Sequence, residues 1–272
     1  MKAFKFFILF FALFLFLIPS GGQTETLYGI TFANQLITID TSTGVGTLVG
    51  NLDTPMSAFG LGTLYGNLYT FDQESDRIRQ LDPLTANTLN TIDIGVSTGG
   101  EGGLTFRSDG IGFLSRSSGL VGTLWSFDIP LTSTTNISGD DSLNPGMDGL
   151  DFNSTGVLYG ISQSFSSYGS HKLYTIDQTT GITTLIGDTG ITDNQGLSGL
   201  AFRSDGVLFA EMNDSLYIID PSNGQATFIG VIGFNTVSGL TFVGEIPVPE
   251  PSIIILLGLS MMSVAGLRKW WK

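Results

Sequence analysis

The sequence predicts an all-β fold made of five repeated modules of four short strands, and three observations lead to it. A motif ending in aspartate, Leu-x-x-apolar-Asp or a close variant, recurs along the chain. A second motif, Gly-Leu-x-Phe, recurs out of phase with it. No segment between Leu27 and Gly244 combines a helical apolar period with caps. Four antiparallel strands in about 40–50 residues are typical of one blade of a β-propeller.

The phase of the repeats predicts a closed ring. The first module begins at Leu27 without a Gly-Leu-x-Phe strand, and an orphan copy, Gly239-Leu240-Thr241-Phe242, follows the last module. Joining the two completes one blade and removes an open sheet edge. An open β-array or an irregular sandwich is the alternative, because the second module is degenerate. The predicted blades are Leu27–Gly50 with Gly239–Val243, Ser57–Gly95, Gly102–Ser138, Met147–Gly187 and Leu197–Gly230.

The aspartates that end the first motif are expected to cap turns. Thr-Gly or Asn-Gly pairs follow three of them, which is a hairpin signal, and an aspartate side chain can accept hydrogen bonds from backbone N–H groups two residues on. Asp109 and Asp205 stand in Asp-Gly pairs and are expected to serve hairpins in the same way. The motif-ending aspartates are Asp40, Asp82, Asp128, Asp177 and Asp220.

Composition limits the partners of the predicted domain, residues 23–246. It has no cysteine, so neither disulfides nor thiol chemistry are available. It holds 23 acidic and six basic residues, which gives a net charge of −17. That charge argues against nucleic acid or anionic lipid as a partner, since phosphates need Lys and Arg. It suits an exported soluble domain, or one that attracts divalent cations.

The N-terminus has the pattern of a signal peptide, residues 1–22. Lys2 and Lys5 precede an apolar stretch, Phe6–Ile18, and small residues follow up to Gly22. A retained anchor is the alternative. A helix over that stretch would be about 20 Å long, which is short of a hydrocarbon core of roughly 30 Å, so cleavage after Gly22 is favoured.

The C-terminus, residues 247–272, has three parts in a fixed order: a Pro-Glu-Pro spacer, an apolar run suited to a transmembrane helix, and a basic tail. The motif is Val248, Pro249, Glu250 and Pro251; the run is Ile253–Leu267; the tail contains Arg268, Lys269 and Lys272. Together they resemble the PEP-CTERM sorting signal of Gram-negative bacteria, which implies export across the inner membrane and an exosortase-type sorting protease as partner. The resemblance further implies transient membrane anchoring, then a place at the cell surface or in an extracellular matrix or biofilm with exopolysaccharide. An ordinary single-pass anchor is the alternative.

Few residues indicate chemistry. His171 is the only histidine and is expected in a loop; no nucleophile elbow accompanies it, and no catalytic residue is assigned. The densest acidic stretch supplies oxygen ligands of the kind that Ca²⁺ prefers, in the expected connection between the third and fourth blades, although a solvated loop explains it as well. No other cofactor is expected. The candidate metal ligands are Asp140, Asp141, Asp148 and Asp151.

The expected function is that of a non-enzymatic binding or structural module exported to the cell surface. One alternative is a calcium-dependent propeller hydrolase or lyase, which would need carboxylates, amides or histidine converging at the channel mouth. The other is a membrane-anchored scaffold whose tail is never cut. The side chains that line the axis separate the first two.

Overall fold

Strands are the only long regular elements in the part of the chain that the structure describes. The computed structural model describes residues 25–53, 58–96, 102–117, 121–129, 133–163, 169–192, 198–212 and 214–244. The strands in chain order are β1 (Glu25–Thr31), β2 (Gln35–Ile39), β3 (Gly46–Asn51), β4 (Ala58–Leu64), β5 (Asn67–Asp72), β6 (Arg77–Leu81), β7 (Thr88–Asp93), β8 (Leu104–Phe106), β9 (Ile111–Ser117), β10 (Gly122–Asp128), β11 (Thr134–Asn136), β12 (Met147–Phe152), β13 (Leu158–Ser162), β14 (Lys172–Ile176), β15 (Thr183–Asp188), β16 (Ser198–Phe202), β17 (Leu208–Met212), β18 (Ser215–Ile219), β19 (Ala226–Val231) and β20 (Val237–Gly244).

These strands form five four-stranded antiparallel sheets, the blades of a five-bladed β-propeller, as predicted. Within each blade the strands follow one another from the axis outward. The orders are β20-β1-β2-β3 in blade 1, β4-β5-β6-β7 in blade 2, β8-β9-β10-β11 in blade 3, β12-β13-β14-β15 in blade 4 and β16-β17-β18-β19 in blade 5.

The ring closes in blade 1, where the last strand of the chain pairs with the first. Strands β20 and β1 are antiparallel, with Leu27 opposite Phe242 and Gly29 opposite Leu240. The orphan Gly-Leu-x-Phe copy therefore supplies the missing inner strand, and the prediction of closure is confirmed. The alternatives of an open array or an irregular sandwich are wrong.

The hydrophobic core consists of five clusters, one at each contact between neighbouring blades. The cluster between blades 1 and 5, for example, joins Leu27 and Phe242 to Phe209 and Leu216. The equivalent clusters fill the four other blade contacts. Because each blade buries both of its faces, a missing blade or an unpaired inner strand would expose two clusters to water.

Glycines of the Gly-Leu-x-Phe motif allow the inner strands to approach one another at the axis. A Cβ added to Gly60 would lie 2.4 Å from the backbone nitrogen of Leu104, and one added to Gly103 would lie 2.6 Å from that of Leu150. The other three repeat the contact with the next blade around the ring. The five inner glycines are Gly60, Gly103, Gly149, Gly199 and Gly239.

A second set of close contacts joins the blades at the periphery. The turn before the outer strand of one blade packs on the outer strand of its neighbour, and a glycine usually lies there. A Cβ on Gly187 of β15 would lie 1.7 Å from the carbonyl oxygen of Asn223, and one on Gly230 would lie 2.0 Å from that of Thr43. Gly50, Gly187 and Gly230, each in an outer strand, thus mark contacts between blades.

Candidate functional site

A recess opens at one end of the propeller axis, where the inner strands end. Its volume is about 390 Å³, and side chains or backbone of all five blades line it. The lining residues are Glu25, Thr63, Thr105, Phe106, Arg107, Ser108, Asp151, Phe152, Asn153, Ser154, Gly156, Phe202, Arg203, Ser204, Thr241 and Phe242. Polar side chains from each of the five blades reach this recess.

Asp151 in β12 lies within the recess and is held by three hydrogen bonds. Its Oδ1 accepts the Thr105 hydroxyl of blade 3 and the Phe152 backbone N–H, both at 2.8 Å. Its Oδ2 accepts the backbone N–H of Phe202 in blade 5 at 2.6 Å. One carboxylate therefore joins three consecutive blades.

Burial raises the pKa of Asp151 to about 6, although the hydrogen bonds from Phe202, Thr105 and Phe152 lower it. Asp151 is half-buried and lines the recess. None of the described Lys, Arg or His residues contributes to its pKa or forms an ion pair with it. Desolvation of the charged form consequently outweighs the three donors.

Asp151 differs in charge from the residues at the equivalent position of the other repeats. It occupies the x position of Gly-Leu-x-Phe, where the other blades carry Gly62, Thr105, Ala201 and Thr241. The fold is built in four blades with a neutral residue at this place. An aspartate here is therefore unnecessary for closing a blade, and perturbed carboxyl groups in clefts are candidates for a functional site.

Threonine hydroxyls surround the same recess. Thr63 and Thr241 Oγ1 lie 3.1 Å apart, so one donates to the other across the contact between blades 2 and 1. Thr105 donates to Asp151 and keeps lone pairs that can accept further donors. The lining is thus rich in groups that can exchange hydrogen bonds with a hydroxylated ligand.

Two arginines of matching hairpins form part of the rim. Arg107 Nη2 and Arg203 Nη2 each lie 2.8 Å from an Oδ2, of Asp109 and Asp205 respectively. These hydrogen bonds raise the pKa of each guanidinium and lower that of its aspartate. Both aspartates also accept a backbone N–H of their own turn, so the hairpin role predicted for them is confirmed.

The arginine side chains are fixed from their other side as well. The Arg107 guanidinium lies 5.6 Å from the ring centroid of Phe113, and that of Arg203 lies 5.2 Å from the ring of Phe209. At the rim beside Arg203, Glu25 accepts the backbone N–H of Ser204 at 2.9 Å. Sequence reasoning did not single out Glu25, Thr105 or the two arginines as site residues, although the repeated Arg-Ser-Asp-Gly placed both arginines at equivalent hairpins.

The four aspartates proposed as calcium ligands are not brought together. Asp148 and Asp151 lie in β12 itself and not in a loop, three residues apart, which separates them by about 10 Å along a strand. Asp140 accepts a hydrogen bond from Asn136, and Asp141 lies 3.4 Å from Arg116. Among the described residues, which include all four, no three His, Asp or Glu groups are placed to hold a metal ion.

His171 lies in the segment just before β14, as expected of a loop residue, but it is fully buried. Its Nδ1 lies 2.8 Å from the carbonyl oxygen of Ser162, so Nδ1 carries the proton and donates it. It is not among the residues that line the axial recess. Its contacts tie the β13–β14 connection to the blade.

The capping role of the repeated aspartates is confirmed for four of the five. Asp40, for instance, accepts the backbone N–H groups of Ser42 and Thr43 at 2.8 and 2.9 Å. The Ser42 hydroxyl and these donors lower the pKa of Asp40 to about 2. Asp82, Asp177 and Asp220 make equivalent bonds. Asp128 leads into residues 130–132, which lie outside the described part.

The predicted signal peptide and sorting signal also lie outside the described residues, including Val248, Pro249, Glu250, Pro251, Arg268, Lys269 and Lys272. Within the residues that the structure does describe, none of the elements is a helix of the length and apolarity needed to cross a membrane.

Comparison with known proteins shows the fold alone. No protein-family model matches the sequence, and no curated protein matches it. Among solved structures, 537 chains match. A symmetrical protein described for its de novo evolutionary emergence is 17% identical, with a TM-score of 0.53 over 80% of this chain and 98% of its own. A chain of a nidogen/laminin complex is 14% identical, with a TM-score of 0.53 over 81% of this chain and 98% of its own.

A further similar chain is a protein of unknown function from Bacteroides thetaiotaomicron, which is 14% identical with a TM-score of 0.45. The match covers 76% of the present chain and 50% of that one, so the present chain spans about half its length. Identities this low assign no activity. The site therefore has to be interpreted from its own residues.

Proposed function

We propose that this protein is an exported binding module of the bacterial cell surface or extracellular matrix, and that its axial recess binds a hydroxyl-rich ligand such as a unit of exopolysaccharide. The recess is the observation that supports the proposal. It is the point where five blades contribute hydroxyl, amide and charged groups to one concave surface. Its volume lies within the range of small-ligand pockets.

The chemistry of the lining favours a sugar over an apolar ligand. Thr63, Thr105 and Thr241 offer hydroxyls, and Asn153 offers an amide at the rim. The Phe106, Phe152, Phe202 and Phe242 positions contribute an apolar wall between these polar groups. Alternating polar groups and aromatic surface suit a pyranose ring, which has polar edges and apolar faces.

Binding of purified exopolysaccharide fragments is tested with a variant that obstructs the recess. Ser154 is exposed, lines the recess and makes no side-chain hydrogen bond, so Ser154→Trp fills the mouth without disturbing a blade. Leu84→Trp is the matched control, because Leu84 is 77% exposed and does not line the recess. We expect Ser154→Trp to weaken binding at least tenfold and the control to bind like the unmodified protein.

Equal binding by both variants would contradict the assignment of the recess. Release of shorter saccharide or ring-opened products during the same incubation would instead indicate an enzyme.

We further propose that the two termini direct export and sorting. The signal-peptide pattern at residues 1–22 supports entry into the export pathway, and the Pro-Glu-Pro spacer, apolar run and basic tail support recognition by an exosortase-type protease. The transmembrane helix over Ile253–Leu267 would hold the protein in the membrane until that protease acts.

Mass spectrometry of the mature protein from a host with such a protease tests this proposal. We expect an N-terminus at Gln23 and loss of the Trp270-Trp271-Lys272 end. A surface protein that retains this end would contradict sorting and favour a permanent anchor. A Pro249→Ala, Pro251→Ala chain is the control, because it keeps the apolar run while removing the motif.

A further inference from the structure

We propose that the axial recess recognises a primary ammonium group through Asp151, so that the saccharide it binds is an amino sugar with a free amine. This inference rests on the proposed function and specifies its ligand. It follows from the charge around the recess, the open hydrogen-bonding position on Asp151 and the place of that residue in the repeat.

The charge balance of the recess is negative. Arg107 and Arg203 are each neutralised by their own hairpin aspartate, Asp109 or Asp205. Asp151 and Glu25 add two further negative charges, so these six groups carry a net charge of −2, and the Glu25 carboxylate also acts on Arg203. A cationic ligand gains from this field, whereas an anionic sugar such as a uronic acid would be repelled.

Asp151 retains capacity for one more donor. Each carboxylate oxygen accepts about two hydrogen bonds, and Oδ1 already has two, from Thr105 and Phe152. Oδ2 has one, from Phe202, and part of the side chain faces the recess. The Asp151 carboxylate can therefore accept one more hydrogen bond while keeping the three it has.

The Asp151 carboxylate is half-buried and has no cationic partner among the described residues, so its charge is poorly solvated, and an ammonium ligand would relieve this. Burial already raises the pKa of Asp151, so the folded protein holds the charged form at neutral pH against desolvation. An ammonium group neutralises that charge at the site. Because a neutral residue occupies this position in the other four blades, the folded ring itself does not require the charge.

An ammonium group fits these donors and acceptors better than a calcium ion does. Calcium takes six to eight oxygen ligands, often with several carboxylates. The described residues place no three His, Asp or Glu groups together, and Asp151 is the only carboxylate among the inner-strand residues of the recess. An ammonium group has three donors, and the Asp151 carboxylate and the adjacent Thr105 hydroxyl are acceptors for it.

The test compares D-glucosamine, N-acetyl-D-glucosamine and D-glucose as ligands of the full-length protein in mild detergent, by calorimetric titration at pH 7. We expect glucosamine to bind at least tenfold more tightly than the other two. Asp151→Asn should remove that preference. Asp93→Asn is the matched control, since it removes one carboxylate that is 65% exposed on the outer strand of blade 2.

The pH dependence of binding supplies a second measurement. The ionisable groups at the recess are Asp151, Glu25, Arg107 and Arg203, with Asp109 and Asp205 behind the arginines. Protonation of Asp151 should lower the affinity for glucosamine about tenfold between pH 7 and pH 5, given a pKa of about 6. Thr105→Val, which keeps the side-chain shape, removes one donor to the carboxylate and should move the midpoint of this loss to higher pH. That shift of the midpoint tests whether Asp151 binds the ammonium group, even if Asp151→Asn does not fold.

Each outcome has one meaning. Equal affinity for the three sugars overturns amine recognition and leaves sugar binding in place. No binding of any saccharide, including exopolysaccharide fragments, overturns the proposed function together with this inference. Binding that requires added Ca²⁺ and disappears with chelator overturns it in favour of a metal site.

Discussion

At the scale of single residues, the ionised carboxyl group of Asp151 lowers the stability of the folded protein. An ordinary aspartate has a pKa of 3.8, and burial raises that of Asp151 to about 6. The folded state therefore binds a proton more readily than the unfolded state does between these values. Its contribution to the free energy of unfolding falls as pH rises from about 4 to about 6.

We predict that this contribution amounts to about 3 kcal/mol, from a shift of about two pKa units. The measurement is denaturant unfolding of the unmodified protein and of Asp151→Asn between pH 4 and pH 7. The difference in stability between the two should change across this interval, in the direction that favours the unmodified protein at low pH. The pKa values of Asp40 and Asp177 are lowered, so these two groups change the free energy of unfolding only below about pH 4. Both proteins contain them, so their contributions cancel in the comparison. A difference that is constant from pH 4 to pH 7 would show that folding does not raise the pKa of Asp151.

At the scale of strands and turns, glycines explain why neighbouring blades pack closely both at the propeller axis and at its periphery. The inner glycines let neighbouring backbones meet at the axis, and the outer ones receive the neighbouring turn. The turn itself is fixed by its aspartate cap, as with Asp220, which accepts the Ser222 N–H at 2.8 Å. The cap and the glycine of the adjacent blade thus act on the same contact, one from each side.

Gly187→Ala tests this contact, because the φ angle of Gly187 lies outside the left-handed region and alanine adds no backbone strain of its own. The added methyl group would meet the carbonyl oxygen of Asn223, a backbone atom that cannot move away as a side chain can. We expect a loss of about 1–3 kcal/mol in the free energy of unfolding, the usual cost of overpacking. Gly244→Ala is the control, since nothing lies within 4 Å of its added Cβ. Equal melting temperatures for the two variants would refute the peripheral contact.

At the scale of the whole molecule, closure between β20 and β1 decides whether the five blades form one cooperative unit. Thr26 and Val243 lie opposite each other in that pairing, and the natural chain has no cysteine. Thr26→Cys with Val243→Cys should therefore form a disulfide on oxidation. The bond closes a loop of almost the whole domain, so we expect stabilisation of up to about 5 kcal/mol by the loop-entropy relation.

Thermal unfolding under oxidising and reducing conditions measures that effect, with Thr26→Cys and Thr47→Cys as the control pair. Thr47 lies in the outer strand β3, opposite Thr38 and not opposite Thr26. Efficient cross-linking of the control, or none of the β20–β1 pair, would contradict the closed ring.

The sequence allowed the ring to be predicted but gave little of the recess, for a physical reason. The fold can be predicted from local sequence patterns. The Gly-Leu-x-Phe strand and the capped turn each lie within one module, and the order of these motifs along the chain predicts closure. The recess combines residues from five modules, such as Glu25, Thr105 and Arg203, and only closure brings them together. The acidic stretch predicts Asp151 as one of four calcium ligands in a loop, whereas the informative signal is that Asp151 stands where the other four repeats have a neutral residue.

The most direct test of the axial recess as a binding site is a titration of the Asp151 carboxyl group by carbon-13 NMR, assigned by comparison with Asp151→Asn. We predict a midpoint at about pH 6 in the free protein. Saturating glucosamine should move the midpoint to lower pH, because an ammonium partner stabilises the charged form. A midpoint near the ordinary value of 3.8, unchanged by glucosamine, would contradict both the burial of this group and its role in binding.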